Sequence, residues 1–512
     1  MPPNQQNDCR KNVDNTTHKS FSYLKVISLD IFCFIVCFTF GFSDISLNQI
    51  VQDKICLNDL HLSRDVCHNI QDQKDYLPQA IDIYTHVTRW KSYVNFIGYF
   101  PGILVTIFLG KWLDRYPNMM KYVLAAQPLG NLVCCLIVLH QLFYFKIDYM
   151  ILLVSNVPKV LNGGIAAFLC CVFSIVTTTS PSSHRMIRFG MIEFSIQGGV
   201  LAGTLLGGPV LALKPWFGIG LQNYAGVFVL TSIINLVAII WGLILIDTGK
   251  PFKSQINETT GRVVINQNST EEPSTNRKKW TQMFRELFDT SNVIEMLRTC
   301  AKKRPQHKHL HLRLYFLSIG IYIFCVLGET TVAYQFAQLV YRWSAVYYST
   351  ARAIALILPT FMGIFWPYIL QKWFHLGDAA CGILGVVSAM LSFIIKGGIL
   401  KPYAFFLSSV IGAFASVFLP CLRSMISKSV NSDEIGQVFT LLGCIEATTP
   451  MLDGFYYSFI FSNTANVYPG MVYHATIGIF LIPYLSILWI DLDMRREKRL
   501  QLEKQGEDII SG

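Results

Sequence analysis

Charge is what this chain has least of. Asp, Glu, Lys and Arg make up 14% of its 512 residues, against 52% hydrophobic. A water-soluble chain of this length divides into several domains and covers each with far more charge. Catalytic signatures are missing as well. There is no HExxH, G-x-S-x-G, P-loop or dinucleotide fingerprint. Nothing therefore supports a membrane-embedded enzyme, and no cofactor is expected. Residues 1–23 are polar and carry no small-residue cleavage pattern behind an apolar core. They read as a cytosolic tail, with the first apolar run as the uncleaved targeting signal.

What the chain has instead is about twelve apolar runs of about 18–25 residues, the length a helix needs to cross a bilayer. Inside lipid the backbone must satisfy its own hydrogen bonds, so runs this long are helices and the class is an all-α polytopic membrane protein. The runs lie near 24–48, 92–111, 122–145, 149–177, 189–211 and 222–246, and again near 313–335, 345–369, 377–397, 402–425, 436–460 and 471–491. A basic, polar stretch at 247–312 separates two six-helix halves, 24–246 and 313–491, and a charged tail occupies 492–512. Within the central stretch, Trp280–Leu297 has an amphipathic pattern suited to the inner membrane surface or to a plain linker.

The net charge is +10. With both termini in the cytosol, roughly 30 of the 42 Lys and Arg fall on the cytosolic side, the positive-inside bias. Topology accounts for the basic surplus, so no nucleic-acid partner is expected. The sequons at Asn15, Asn257 and Asn268 are then cytosolic and silent. Most of the fourteen cysteines sit in spans as small apolar residues. Cys56 and Cys67 are different: both lie in the first external loop, where oxidation permits a disulfide.

Charges within spans are costly and mark function by default. By depth, Asp44, Lys159, Glu329 and Arg352 lie from mid-membrane outward, Glu193 and Arg423 toward the cytosol, and Glu446 between. Mixed signs permit pairing at both levels, either as structural pairs or as a charged cavity in which Arg and Lys hold an anionic solute while a carboxylate carries a proton. Gly198, Gly199, Gly203, Gly207 and Gly208 give the fifth span a close-packing face. His307, His309 and His311 cluster at the end of the basic stretch, but neighbouring Lys and Arg oppose a cation, and no metal is expected.

Two six-span halves around a charged hinge resemble the major-facilitator transporters. Gly110-Lys-Trp-Leu-Asp114-Arg115, between the second and third spans, resembles that superfamily's gating-loop signature. The usual trailing Gly-Arg-Arg is replaced by Pro117-Asn-Met-Met-Lys121. A second resemblance is closer. Pro420-Cys-Leu-Arg423-Ser-Met-Ile-Ser427-Lys428-Ser-Val430, Glu434-Ile-Gly436-Gln-Val-Phe439, Arg188-Phe-Gly-Met-Ile-Glu193 and Tyr468-Pro469-Gly470 resemble the proton-coupled folate transporter and thymic stromal cotransporter family, solute carrier family 46.

That resemblance implies that spans one, four, seven and ten line a cavity, placing Asp44, Lys159, Glu329 and Arg423 on cavity-lining helices. It implies proton coupling for Glu193 and substrate or proton handling for Arg423, with His311 matching a family histidine linked to protonation. The family's disulfide between the first and fourth external loops has no second cysteine here. Glu193 and Arg423 admit a rival role as an inner gate, with substrate contact left to Lys159, Glu329 or Arg352.

The expected function is secondary transport, proton-coupled, of an organic anion or polar conjugate: folate-like, a muropeptide, a cyclic dinucleotide or a lysosomal catabolite. The alternative is a receptor or signalling scaffold that kept the fold. A channel predicts continuous pore rings, which are lacking. The expected partners are a small solute, protons and the bilayer, with a monomer as the default. Plasma membrane and lysosome both remain open. Glu507-Asp508-Ile509-Ile510 faintly resembles an acidic sorting signal.

Overall fold

A computed structural model describes residues 3–246 and 307–511, apart from 162, 180–184 and 431–433, together with 293–294, 298–299, 302 and 304. Side chains before 27, around 110–117 except Trp112, Tyr116 and 118 onward, at 185–187 and beyond 503, with a few isolated ones, lie outside the description. So do the amphipathic stretch near 280–297, apart from a few residues, and the sequons at Asn257 and Asn268.

The described chain is helical throughout. The first half comprises α1 (Pro3–Lys54), α2 (Leu77–Arg115), α3 (Met120–Phe143), a segmented α4, α5 (Arg185–Leu211) and α6 (Tyr224–Ile244). The second comprises α7 (Lys308–Tyr341), α8 (Ala345–Lys372), α9 (Asp378–Gly398), a segmented α10, α11 (Ile435–Thr464) and α12 (Met471–Ser511). Among the described residues, eleven segments are long and apolar enough to cross a membrane. α11 is long enough too, but its Thr, Ser and Tyr content and two acids hold its hydropathy down; it packs along α2, α7 and α12 rather than standing apart.

α4 and α10 stand fourth in their halves, and both are broken. α4 runs as a 3-10 segment, Tyr149–Asn156, then Val157–Leu161, then Gly164–Thr179, with Gly163 and Gly164 at φ +82 and +60. Those angles suit glycine alone among common residues. α10 runs as Pro402–Ile411, a 3-10 stretch Gly412–Val417, and Phe418–Ser429.

Several boundaries differ from the hydropathy reading. α2 begins at Leu77, so the first external loop is much shorter than the span near 92–111 implies. The outer part of α2 buries Ile83, Tyr84, Val87, Thr88 and Trp90 against protein and leaves Asp82 and Arg89 exposed. α1 continues to Lys54 and a π turn at Ile55–Asp59, and α12 carries straight through the charged tail.

Helix α1 packs along α5, and the predicted glycine face is the reason. A Cβ on Gly199, Gly203 or Gly207 would stand 2.4, 2.1 or 2.5 Å from the carbonyl oxygens of Phe34, Phe38 and Phe42. Backbones come this close only where side chains are absent. Across the interface between the halves, α2 lies against α11 and α5 against α8. Gly208 abuts Ser349 there, and the Ser349 hydroxyl donates to the carbonyl of Thr204.

Candidate functional site

Two charged clusters cross the interface between the halves. The face carrying both chain termini is called inner, and the opposite face outer. Near it, Arg423 of α10 is 7% exposed and bonds two carboxylates. One is Glu193 of α5, in the other half. The second is Glu446 of α11, whose two oxygens lie 2.9 and 3.0 Å from the single nitrogen Nη2. The guanidinium also lies 5.1 Å from the Phe173 ring of α4. Phe189 of α5 stacks on Phe439 of α11 at 5.9 Å, closing the same level. Arg423, Glu446, Phe173, Phe189 and Phe439 surround a hollow of about water-molecule size. One cation thus serves two acids, so protonating either leaves a neutral pair rather than an orphaned charge.

The outer cluster centres on Asp44 of α1. Its carboxylate bonds Arg352 of α8 at 3.2 Å and Lys91 of α2 at 3.5 Å. Lys91 also donates to the carbonyl of Thr330 on α7 at 2.8 Å. Further out, Tyr334 of α7 donates to Gln49 of α1 at 2.5 Å, and Gln49 donates to Asp53 at 2.8 Å. Asp53 is fully buried and also accepts from the Tyr224 hydroxyl of α6. Five helices from both halves, α1, α2, α6, α7 and α8, are tied together on this side.

The remaining predicted residues divide. Glu329 of α7 pairs with Lys396 of α9 inside the second half, where the ammonium also lies 5.5 Å from the Phe405 ring and 5.6 Å from that of Tyr473. Lys159, just before the break in α4, bonds Asn156 at 3.4 Å and has no acidic partner among the described residues. His311 is buried and meets Asp493 of α12 at 2.9 Å, away from both clusters. His307, Asp493 and Glu497 bring ligand atoms within 4.8 Å of one another beside it. Cys56 and Cys67 form a disulfide across the turn after α1. The side chains of Gly110, Asp114 and Arg115 lie outside the described residues.

Sequence reasoning missed Lys91, Lys396, Asp53, Asp453 and the Asp30–Arg188 pair, which joins α1 to α5 at 2.5 Å. Lys91 and Asp53 fell outside the spans as drawn, and Lys396 fell at an end. A long stem carries an ammonium several ångströms from its Cα, so end positions deserve the same scrutiny as central ones. Asp453 stood within the drawn span and was passed over.

The Major Facilitator Superfamily profile matches residues 33–449, and the chain belongs to that superfamily. The human organic anion transporter MFSD10 superposes with a TM-score of 0.60 at 12% identity, over 91% of this chain and 99% of that one. The Escherichia coli fucose:proton symporter gives 0.53 at 13%, over 91% and 98%. The likeness in those cases is one of fold. Among sequence relatives, a probable peptidoglycan muropeptide transporter of Drosophila melanogaster, named SLC46, is 23% identical over 90% of this chain and 85% of its own length. The lysosomal proton-coupled steroid conjugate and bile acid symporter SLC46A3 of Rattus norvegicus is 24% identical over 78% of each. The proton-coupled folate transporter of Bos taurus is 23% identical over 84% of each. The chain is a multi-pass membrane transporter of the Major Facilitator Superfamily, similar in sequence to these family 46 transporters and not an enzyme, and the scaffold alternative finds no support.

Proposed function

We propose that this protein is a proton-coupled symporter for an organic anion or polar conjugate, in which Glu193, Arg423 and Glu446 form the inner gate. The observation carrying this reading is that Arg423 bonds a carboxylate of its own half and one of the other half. Protonation of Glu193 removes the link between halves yet leaves Arg423 neutralised by Glu446, so the inner side can part without stranding a buried charge. Lys159 supplies the solute-facing cation. It is the predicted in-span cation lacking an acid partner among the described residues, and it precedes the break in one of the two discontinuous helices, the feature that marks solute sites in transporter folds.

The relatives are named for muropeptides, steroid conjugates, bile acids and folates. What these share is an anionic group on a bulky polar or amphipathic body, which suits one ammonium in a largely apolar cleft. The protein works as a monomer in the plasma or lysosomal membrane, with both termini cytosolic. The test is uptake of a labelled folate, a muramyl dipeptide and a steroid sulfate at about pH 5.5 and about pH 7.4, with surface abundance matched. Acid-stimulated uptake lost in Glu193→Gln is expected. Uptake indifferent to both pH and the substitution overturns the coupling.

A further inference from the structure

Asp453 is a buried acid that neither cluster uses and, unlike Asp30, it has no ion-pair partner among the described residues. It lies roughly two thirds of the way out along α11 and is 1% exposed. Neither carboxyl oxygen receives a hydrogen bond of ordinary geometry; the amide of the next residue, Gly454, is close by without meeting it in line.

Packing holds the group in place. A Cβ on Gly328 of α7 would stand 2.8 Å from the Asp453 Cβ, so α7 presses against it. On the other side Ser92 of α2 donates to the carbonyl of Gly454 at 2.6 Å. Asp453 is therefore wedged where α2 of one half meets α7 and α11 of the other. The titratable groups facing it are Lys91 and Tyr99 from α2 and Cys325 from α7, with Tyr457 on its own helix. Glu329, next to Gly328, is committed to Lys396.

A carboxylate ion in such a place, with no in-line donor and no cation bonded to it among the described residues, is poorly compensated; the neutral acid is not. The cation that could serve it is Lys91, which here is spent on Asp44 and on the carbonyl of Thr330. Asp44 has a second cation, Arg352, and does not depend on Lys91. One ammonium thus stands between two acids, and only one of them has a substitute.

We propose that Asp453 is a proton-binding site of the transport cycle, exchanging its proton for the charge of Lys91. On deprotonation the carboxyl O–H bond breaks, the proton passes to water in the opening cleft, and Lys91 moves from Asp44 to the new carboxylate. On reprotonation Lys91 returns to Asp44 and Thr330, drawing α2 onto α1 and α7 and closing the outer side. The inference rests on the transporter reading for its meaning, but its test needs no solute.

The test uses purified full-length protein in lipid nanodiscs. Infrared difference spectra between about pH 5.5 and about pH 7.4 are recorded for wild type, Asp453→Asn and Lys91→Gln. A protonated-carboxyl carbonyl band that disappears in Asp453→Asn, and that persists to higher pH in Lys91→Gln, is expected. In parallel, Thr331→Cys, buried on α7 against Asn95 of α2, reports outer opening through its reaction with a membrane-impermeant thiol reagent, normalised to a cysteine at exposed Gln73. It should react several-fold faster at the higher pH in wild type and slowly at both in Asp453→Asn. A carboxyl band unchanged in Asp453→Asn overturns the proposal, as does labelling with the wild-type pH dependence in that variant. Failure of every panel solute to move would count against the symporter reading while these two measurements still decided the proton site.

Discussion

Arg423 and Glu193 belong to different halves of the molecule, yet their side chains bond directly, and the same guanidinium grips Glu446 with a second nitrogen. Removing one partner of a buried pair strands the other, at a cost of about 3–5 kcal/mol. Arg423→Ala strands two carboxylates and should sharply lower thermal stability in detergent, along with surface abundance. Glu193→Gln strands nothing, because Glu446 remains, and should leave stability within about 1 kcal/mol while abolishing acid-stimulated uptake. A stability loss in Glu193→Gln as large as that in Arg423→Ala would mean the cluster is structural cement instead of a gate.

At the outer level Asp44 holds Arg352 and Lys91 together. Asp44→Asn leaves two like charges facing each other across the interface, so the outer side should open more often. The expected sign is at least a several-fold rise in impermeant-reagent labelling of Thr331→Cys at neutral pH, without loss of folded protein. Unchanged labelling would show that the hydrogen bonds from Tyr334 and Ser92 suffice to keep that side shut.

Depth in the membrane was legible in the chain, but rotation around each helix was not. Runs of about 20 apolar residues gave the spans, and counting along them put Glu193 near Arg423 and Asp44 near Arg352, as the structure has them. Counting could not say that Glu329 turns inward to Lys396 within one half, or that Lys159 turns away from every described acid. Those directions depend on packing between helices distant in sequence. Hydropathy also failed wherever helix met helix in place of lipid. The outer part of α2, where exposed Asp82 and Arg89 interleave with buried Thr88 and Lys91, reads as loop, yet it is a helix with one face packed against protein. The major-facilitator loop signature falls at the turn between α2 and α3, and the side chains of Asp114 and Arg115 lie outside the described residues.

The glycines of α5 offer a test of packing alone. A methyl group on Gly203 would sit 2.1 Å from the Phe38 carbonyl oxygen, whereas one on Gly190 meets nothing within 4 Å. Gly190→Ala should be neutral or add up to about 1 kcal/mol, since glycine weakens a helix by about that much relative to alanine. Gly203→Ala must push α1 and α5 apart and should lower the detergent melting temperature by several degrees. Equal behaviour of the two would show that α1 and α5 are not locked at this contact.

The turn between α10 and α11 carries a charge clamp outside the membrane. Glu434 accepts from Arg304 at 2.8 Å and from Lys302 at 2.9 Å, pinning the end of the central basic stretch to the inner end of the second half. These two donors hold the Glu434 carboxyl below the usual glutamate range. The sign follows directly: a lowered acid contributes stability that is fully present above its free-chain value of about 4.3 and is lost only as pH falls through the lower folded value. The clamp should therefore stay shut across every pH a cytosol reaches, and it cannot be the element through which acid opens the transporter. Amide exchange of residues 302–310 should be the same at about pH 7.4 and about pH 5.5 once corrected for intrinsic rates, and should rise at both in Glu434→Gln. A rise with acid in the wild type would place a proton-sensitive step at this turn and shift the coupling away from Glu193 and Asp453.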